Sequence, residues 1–180
     1  MLRSLADAMV FVMLLVMVLL ALKKLGWLSP ESGSFTAIDG DSLRKGDSEY
    51  RLHAIDAPEL QQTCASSSGA DYPCGREAHK ALRALVAGHD LSCRILETDR
   101  YGRFIASCSM AEFDINAEMV RQGWAIAYRS HGLDYIAAET AAKKARRGLW
   151  QGEFELPEEW RAEHNNRIFQ SGMTKQPEPD

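Results

Sequence analysis

Leu91-Ser-Cys-Arg-Ile-Leu96 and Arg103-Phe-Ile-Ala-Ser-Cys108, joined across Asp99-Arg-Tyr-Gly102, decide the fold. Each arm is a short run rich in apolar residues, and the four residues between them carry the chemistry of a tight turn, so the stretch reads as a β-hairpin. Working outward, Phe35–Ile38, Ser42–Arg44 and Tyr50–Ile55 read as three further strands, separated by the turns Asp39-Gly40-Asp41 and Lys45-Gly46-Asp47. Asp56-Ala57-Pro58-Glu59 ends the third strand, because proline removes a ladder donor. Gln61 to Cys74 is a polar loop. From Gly75 to Val86, Ala78, Ala81, Leu82, Leu85 and Val86 fall at helical spacing. Ile115–Gln122 and Asp134–Arg146 read as helices stopped by Gly123 and Gly148. Five short strands, a helix between the third and fourth, and helices at the end predict an α+β chain: a five-stranded OB-type Greek-key β-barrel with about three helices.

Before the barrel lies an N-terminal hydrophobic helix. Ala8 to Leu22 is an unbroken run of fifteen apolar residues, preceded by Asp7 and followed by Lys23-Lys24. A bilayer core needs about 20 apolar residues, with a lower limit near 17. The segment therefore reads as a signal-anchor or as a cleaved signal peptide, and the absence of a small-x-small site close behind it favours the anchor. The expected organisation is a signal segment at 1–28, a linker at 29–34, the barrel domain at 35–151 and an acidic extension at 152–180. Glu153–Trp160 is expected to fold back on the domain, and residues 176–180 to be disordered.

Four cysteines, Cys64, Cys74, Cys93 and Cys108, all follow the apolar segment. Their spacing matches no paired zinc pattern, so two disulfides in an oxidising compartment are expected. A hairpin centred between residues 100 and 101 pairs residues whose numbers sum to 201, which sets Cys93 opposite Cys108 at disulfide distance. Cys64 and Cys74 would then close the loop beside Glu59. The expected location is extracytoplasmic: membrane-anchored through residues 8–22, or secreted if the segment is removed.

Net charge is −4, but residues 35–151 hold 15 basic against 16 acidic residues, and the deficit sits in the tail. That excludes a strongly basic, processive nucleic-acid binder and leaves room for an enzyme that grips one phosphate at a time. Three patches supply the parts. Asp39-Gly-Asp41 can turn two carboxylates toward one hard cation. Arg51-Leu-His-Ala-Ile-Asp-Ala-Pro-Glu59 opens with a cation inside an apolar strand and ends in two acids. Strict alternation puts Arg51 and Asp56 on opposite faces, so the strand must twist or bulge between them if they share a site. His53 reads best as a partly buried strand residue. Asp99-Arg-Tyr-Gly-Arg103 sets two planar, permanently charged forks around a turn. Acids for a cation, arginines for a phosphate and a spare glutamate are what phosphodiester hydrolysis requires.

The stretches Ile38-Asp-Gly-Asp-Ser42, Tyr50–Glu59, Asp99–Arg103, Asn116-Ala-Glu-Met-Val-Arg-Gln-Gly123 and Ala145-Arg-Arg-Gly-Leu-Trp150 resemble, in order and spacing, the staphylococcal (thermo)nuclease family. The resemblance runs from about Phe35 to Trp150. It implies a calcium-dependent endonuclease acting on DNA and/or RNA, with single strands favoured. It implies Ca2+ held by Asp41, Asp56 and the backbone carbonyl of Ala57, with Asp39 behind them or acting through water. Arg51 and Arg103 would hold the scissile phosphate, Glu59 would activate water, and Tyr101 and Tyr128 would line the nucleotide site. Nucleic acid is the expected partner, with no obligate protein partner. The competing reading is a catalytically silent OB module tethered to the membrane, but silent copies lose acids or arginines that are all present here. The loop bearing Cys64 and Cys74 departs from the family pattern.

Overall fold

A computed structural model describes residues 2–24, 30–130 and 132–173, with side chains described at 7–21, 30–130 and 132–166. The chain divides into two compact units, Met1–Glu31 and Ser32–Asp180. The first unit is essentially one helix, α1 (Leu2–Lys24), whose apolar side chains from Met9 to Leu20 are all exposed. Among the described residues no helix is long and apolar enough to cross a membrane. Residues 25–29, which could extend the run, lie outside the described residues, as do 176–180.

The second unit is the expected barrel. Its strands are β1 (Glu31–Ser34), β2 (Thr36–Ala37), β3 (Ser42–Lys45), β4 (Ser48–Leu52), β5 (Ile55–Asp56), β6 (Cys64–Ala65), β7 (Asp71–Tyr72), β8 (Asp90–Thr98), β9 (Phe104–Met110), β10 (Phe113–Asp114) and β11 (Ile126–Ala127). The main sheet runs β1-β8-β9-β4-β3-β2, with β10 added to β9. β1 and β2 are separated only by buried Phe35, yet they sit at opposite ends of that order. One bent strand thus touches both edges and closes the sheet, which removes the exposed edges an open sheet would present. Glu31–Ser34, linker-like in composition, is therefore a working strand. β4 and β9 pair in parallel, with Arg51 beside Ile105, and α2 (Cys74–Val86) lies in the crossover between them.

The core fills the barrel with Leu43, Leu52, Ile55, Leu82, Leu91, Ile115 and Met119, each at most 2% exposed. Burying side chains of this size contributes about 1.5–3 kcal/mol apiece. α3 (Ile115–Arg121) starts from Asp114, whose carboxylate accepts from the Ala117 N–H at 2.9 Å. Buried Asn116 accepts from the Cys108 N–H and donates to the carbonyls of His53 and Ala106, tying α3 to β9 and to the end of β4. α4 (Ile136–Lys144) carries Glu139, which is buried but fully answered by the Ala127 N–H, Arg129 and Lys143. That triple contact pins β11, and β11 in turn pairs with β5, the strand that carries Asp56.

Both disulfides form: Cys64–Cys74, with Cα atoms 5.6 Å apart, and Cys93–Cys108, at 4.1 Å. The hairpin arithmetic reached the second pair with two errors that cancel. Beside the turn the pairs are Thr98–Phe104 and Glu97–Ile105, which sum to 202, and an irregularity at Leu96 restores 201 before Cys93. The loop is not featureless, since β6 and β7 pair within it. In the tail, α5 (Pro157–Met173) is a helix that the sequence reading does not name.

Candidate active site

The site is built on the turn between β2 and β3, the end of β4, the start of β5 and the β8–β9 hairpin. In the first turn, Asp39 Oδ1 accepts from the Asp41 N–H at 2.9 Å, which fixes the loop. Gly40 permits the loop to press inward, because a Cβ there would stand 2.7 Å from the Ala57 Cβ and 2.9 Å from the Ala78 Cβ. Asp41 ends up 4% exposed, with Oδ1 accepting from the Ser42 hydroxyl and Oδ2 from the Ala57 N–H at 3.1 Å.

β4 ends at Leu52, and Ala54 takes a left-handed conformation at φ 57° before β5 begins. This is the break that alternation demanded if Arg51 and Asp56 were to share a site. Arg51 Nη2 lies 3.0 Å from Asp56 Oδ1 and 3.1 Å from Asp41 Oδ2, so both acids converge on one nitrogen. Burial pushes the Asp41 carboxyl up to about 6, against the pull of Arg51. Burial also raises Asp56, opposed first by hydrogen bonds from Arg161.

In the hairpin, Asp99 Oδ1 accepts from the N–H groups of Tyr101 and Arg103, and Oδ2 accepts from Arg103 Nε at 2.8 Å. Glu49 stands 3.7 Å from Arg103 Nη1, so the guanidinium is held on two sides. Glu59 is held by its backbone: its N–H donates to Gln62 Oε1 at 3.2 Å, and its carbonyl accepts from the Gln62 N–H at 2.7 Å.

A cleft of about 750 Å3 gathers Asp39, Arg51, Glu59, Tyr101, Arg103 and Tyr128. Asp41, Asp56 and Ala57 are buried and reach this group through Arg51 and the Ala57 N–H. His53 does not line the cleft and faces two smaller cavities instead. Sequence reasoning missed three members. Gln62, fully buried, carries no motif signal. Arg161 and Asn165 line the cleft from α5, and only their four-residue spacing on a helix could have hinted at a shared face.

Among the described residues no three His, Cys, Asp or Glu side chains are grouped so that they could hold a metal alone. The donor chemistry still fits a hard cation. Two buried carboxylates aimed at one cationic nitrogen form a pocket for positive charge, and backbone carbonyls and water commonly complete such a shell.

A small closed barrel, with two buried acids behind a cleft that holds two braced arginines and a backbone-held glutamate, has the architecture of an OB-type fold. The family described as staphylococcal nuclease homologue matches residues 49–152, and the chain belongs to that family. It is 36% identical over 132 residues to the succinoglycan biosynthesis protein ExoI of Rhizobium meliloti (strain 1021), covering 71% of this chain and 69% of that protein. It is 32% identical over 127 residues to a protein of Escherichia coli O157:H7 named "Uncharacterized endonuclease", covering 67% and 76%. It is 30% identical over 119 residues to the "Probable staphylococcal-like nuclease CAN3" of Oryza sativa subsp. japonica, covering 64% of this chain but 29% of that protein.

Proposed function

We propose that the protein is a metal-dependent endonuclease that hydrolyses phosphodiester bonds of DNA and/or RNA, with single strands favoured. The observation that carries this is the convergence of Arg51, Glu59 and Arg103 on one cleft above the buried pair Asp41 and Asp56. Endonuclease and nuclease names among the relatives support the same reading. Arg51 and Arg103 bind the scissile phosphate and stabilise charge that builds on its oxygens. Glu59 accepts a proton from the attacking water, and its backbone bonds to Gln62 keep the carboxylate at the cleft. Tyr101 and Tyr128 offer ring faces to the flanking nucleotides.

Asp41, Asp56 and the Ala57 carbonyl would hold the metal, with Asp39 behind them. Calcium is the ion the family resemblance implies. When bound, such an ion supplies positive charge at the phosphoryl oxygens and lowers the pKa of water. The catalytically silent alternative leaves this intact set of acids and arginines without a role.

The same proposal places the protein outside the cytoplasm. Its supports are the two disulfides, which persist in oxidising compartments, and the exposed apolar side chains of α1, which would direct export and hold the domain at a membrane.

The test is cleavage of single-stranded DNA and RNA by the full-length chain with calcium and with excess chelator. Glu59→Gln and Arg103→Ala should each lower turnover by about 10²–10⁴-fold. Full activity in chelator, or both variants within threefold of wild type (a change worth about 0.65 kcal/mol of barrier), refutes the assignment.

A further inference from the structure

Arg161 lies beyond the family-matched stretch, on α5, yet its guanidinium sits on two of the acids in the proposed site, Asp56 and Glu59. Nη1 is 3.0 Å from Asp56 Oδ1 and 3.0 Å from Glu59 Oε1, and Nη2 is 3.0 Å from Asp56 Oδ2. We propose that Arg161 is a positioning residue that competes with the divalent cation for Asp56, so that it sets the metal affinity of the site and must move aside when metal binds. The inference rests on the reading that Asp41 and Asp56 hold the cation.

The argument is one of lone pairs. Asp56 Oδ1 already accepts from Arg51 Nη2 and from Arg161 Nη1, so both of its in-plane positions are taken. Oδ2 accepts from Arg161 Nη2. Asp56 is 1% exposed, so water does not supply replacement donors to its carboxylate. One lone pair of Oδ2 stays open, so a cation that takes Oδ1, or chelates both oxygens, must displace a guanidinium nitrogen. The contact on Glu59 Oε1 likewise occupies a carboxylate oxygen that would accept the water proton.

The rest of the chain delivers the arginine to this place. Gln62 Nε2 donates to the Glu155 carbonyl at 2.8 Å, while its Oε1 accepts from the Glu59 N–H. The Ala65 N–H donates to the Glu153 carbonyl at 2.8 Å, within the loop closed by Cys64–Cys74. Residues 153–155 are thereby fixed beside Glu59, and Arg161 follows on the first turns of α5. Asn165, four residues on, lines the same cleft.

The decisive experiment is calorimetric titration of the full-length protein with calcium alone, comparing wild type, Arg161→Gln and Arg161→Lys. Arg161→Gln should bind calcium roughly tenfold more tightly, equivalent to about 1.4 kcal/mol. Arg161→Lys keeps the charge but loses the fork, so it should also tighten, by a smaller factor. Hydrogen exchange supplies a readout that a merely structural staple would not move: calcium should speed amide exchange over residues 158–166 in wild type, by the reciprocity of linked binding. Unchanged or weaker calcium binding in Arg161→Gln overturns the competition while leaving the metal reading standing. Arg161→Lys matching wild type would reduce the effect to bulk charge and also overturn it. No calcium binding by any of the three overturns the metal reading and the competition together.

Discussion

Gly75→Ala is the substitution for which helix propensity and tertiary packing give opposite signs. Gly75 lies in the first turn of α2 with no left-handed φ, so alanine fits the local backbone. Propensity and the loss of unfolded-chain entropy would make the change stabilising by about 1 kcal/mol. The structure forbids it: a Cβ at residue 75 would stand 1.7 Å from the Glu59 carbonyl oxygen and 2.6 Å from its carbonyl carbon. Reaching the 3.4 Å of ordinary contact requires α2 and the Glu59 backbone to part by about 1.7 Å. Overpacking of this kind costs about 1–3 kcal/mol. After the propensity gain, the expected net loss is on the order of 1 kcal/mol. Function should suffer more than stability, because the obstacle is the backbone of the residue assigned to activate water. A displacement near 1 Å at such a group lowers kcat by about 10²-fold. Urea unfolding and steady-state cleavage of single-stranded DNA, run on the same preparation, read both quantities. A variant more stable than wild type by about 1 kcal/mol, with kcat within threefold, would refute the steric argument and the place given to Glu59.

Paired replacement Cys64→Ser and Cys74→Ser should destabilise the protein by about 2.7 kcal/mol in the chain-entropy model for a separation of 10. Urea unfolding under non-reducing conditions measures it, and a loss below about 0.5 kcal/mol would show that β6 and β7 hold the loop unaided. Full-length protein should sediment with membranes and resist high-salt extraction through the apolar run of α1, whereas removing residues 1–28 should release it. A full-length protein that stays in the supernatant refutes the attachment.

The sequence by itself determined what depends on near neighbours. The short apolar-rich runs Leu91–Leu96 and Arg103–Cys108, bounded by the turn residues Asp99–Gly102, specify a pair of strands. The spacing of Ala78, Leu82, Leu85 and Val86 specifies α2, because residues three and four apart share a helical face. The acids and arginines were legible because their types and order carry the chemistry wherever the backbone takes them. Tertiary structure alone decided which of them meet. Arg51 and Asp56 share a site only because Ala54 turns left-handed between them, a conformation tolerated where β5 pairs with β11 and Asn116 holds the His53 carbonyl. β1 and β2 close the barrel only because β4 runs parallel to β9, a register with no sequence period of its own. Arg161 reaches Asp56 across a separation of 105 residues. No local pattern encodes such a contact: its geometry is the sum of every turn between the two residues.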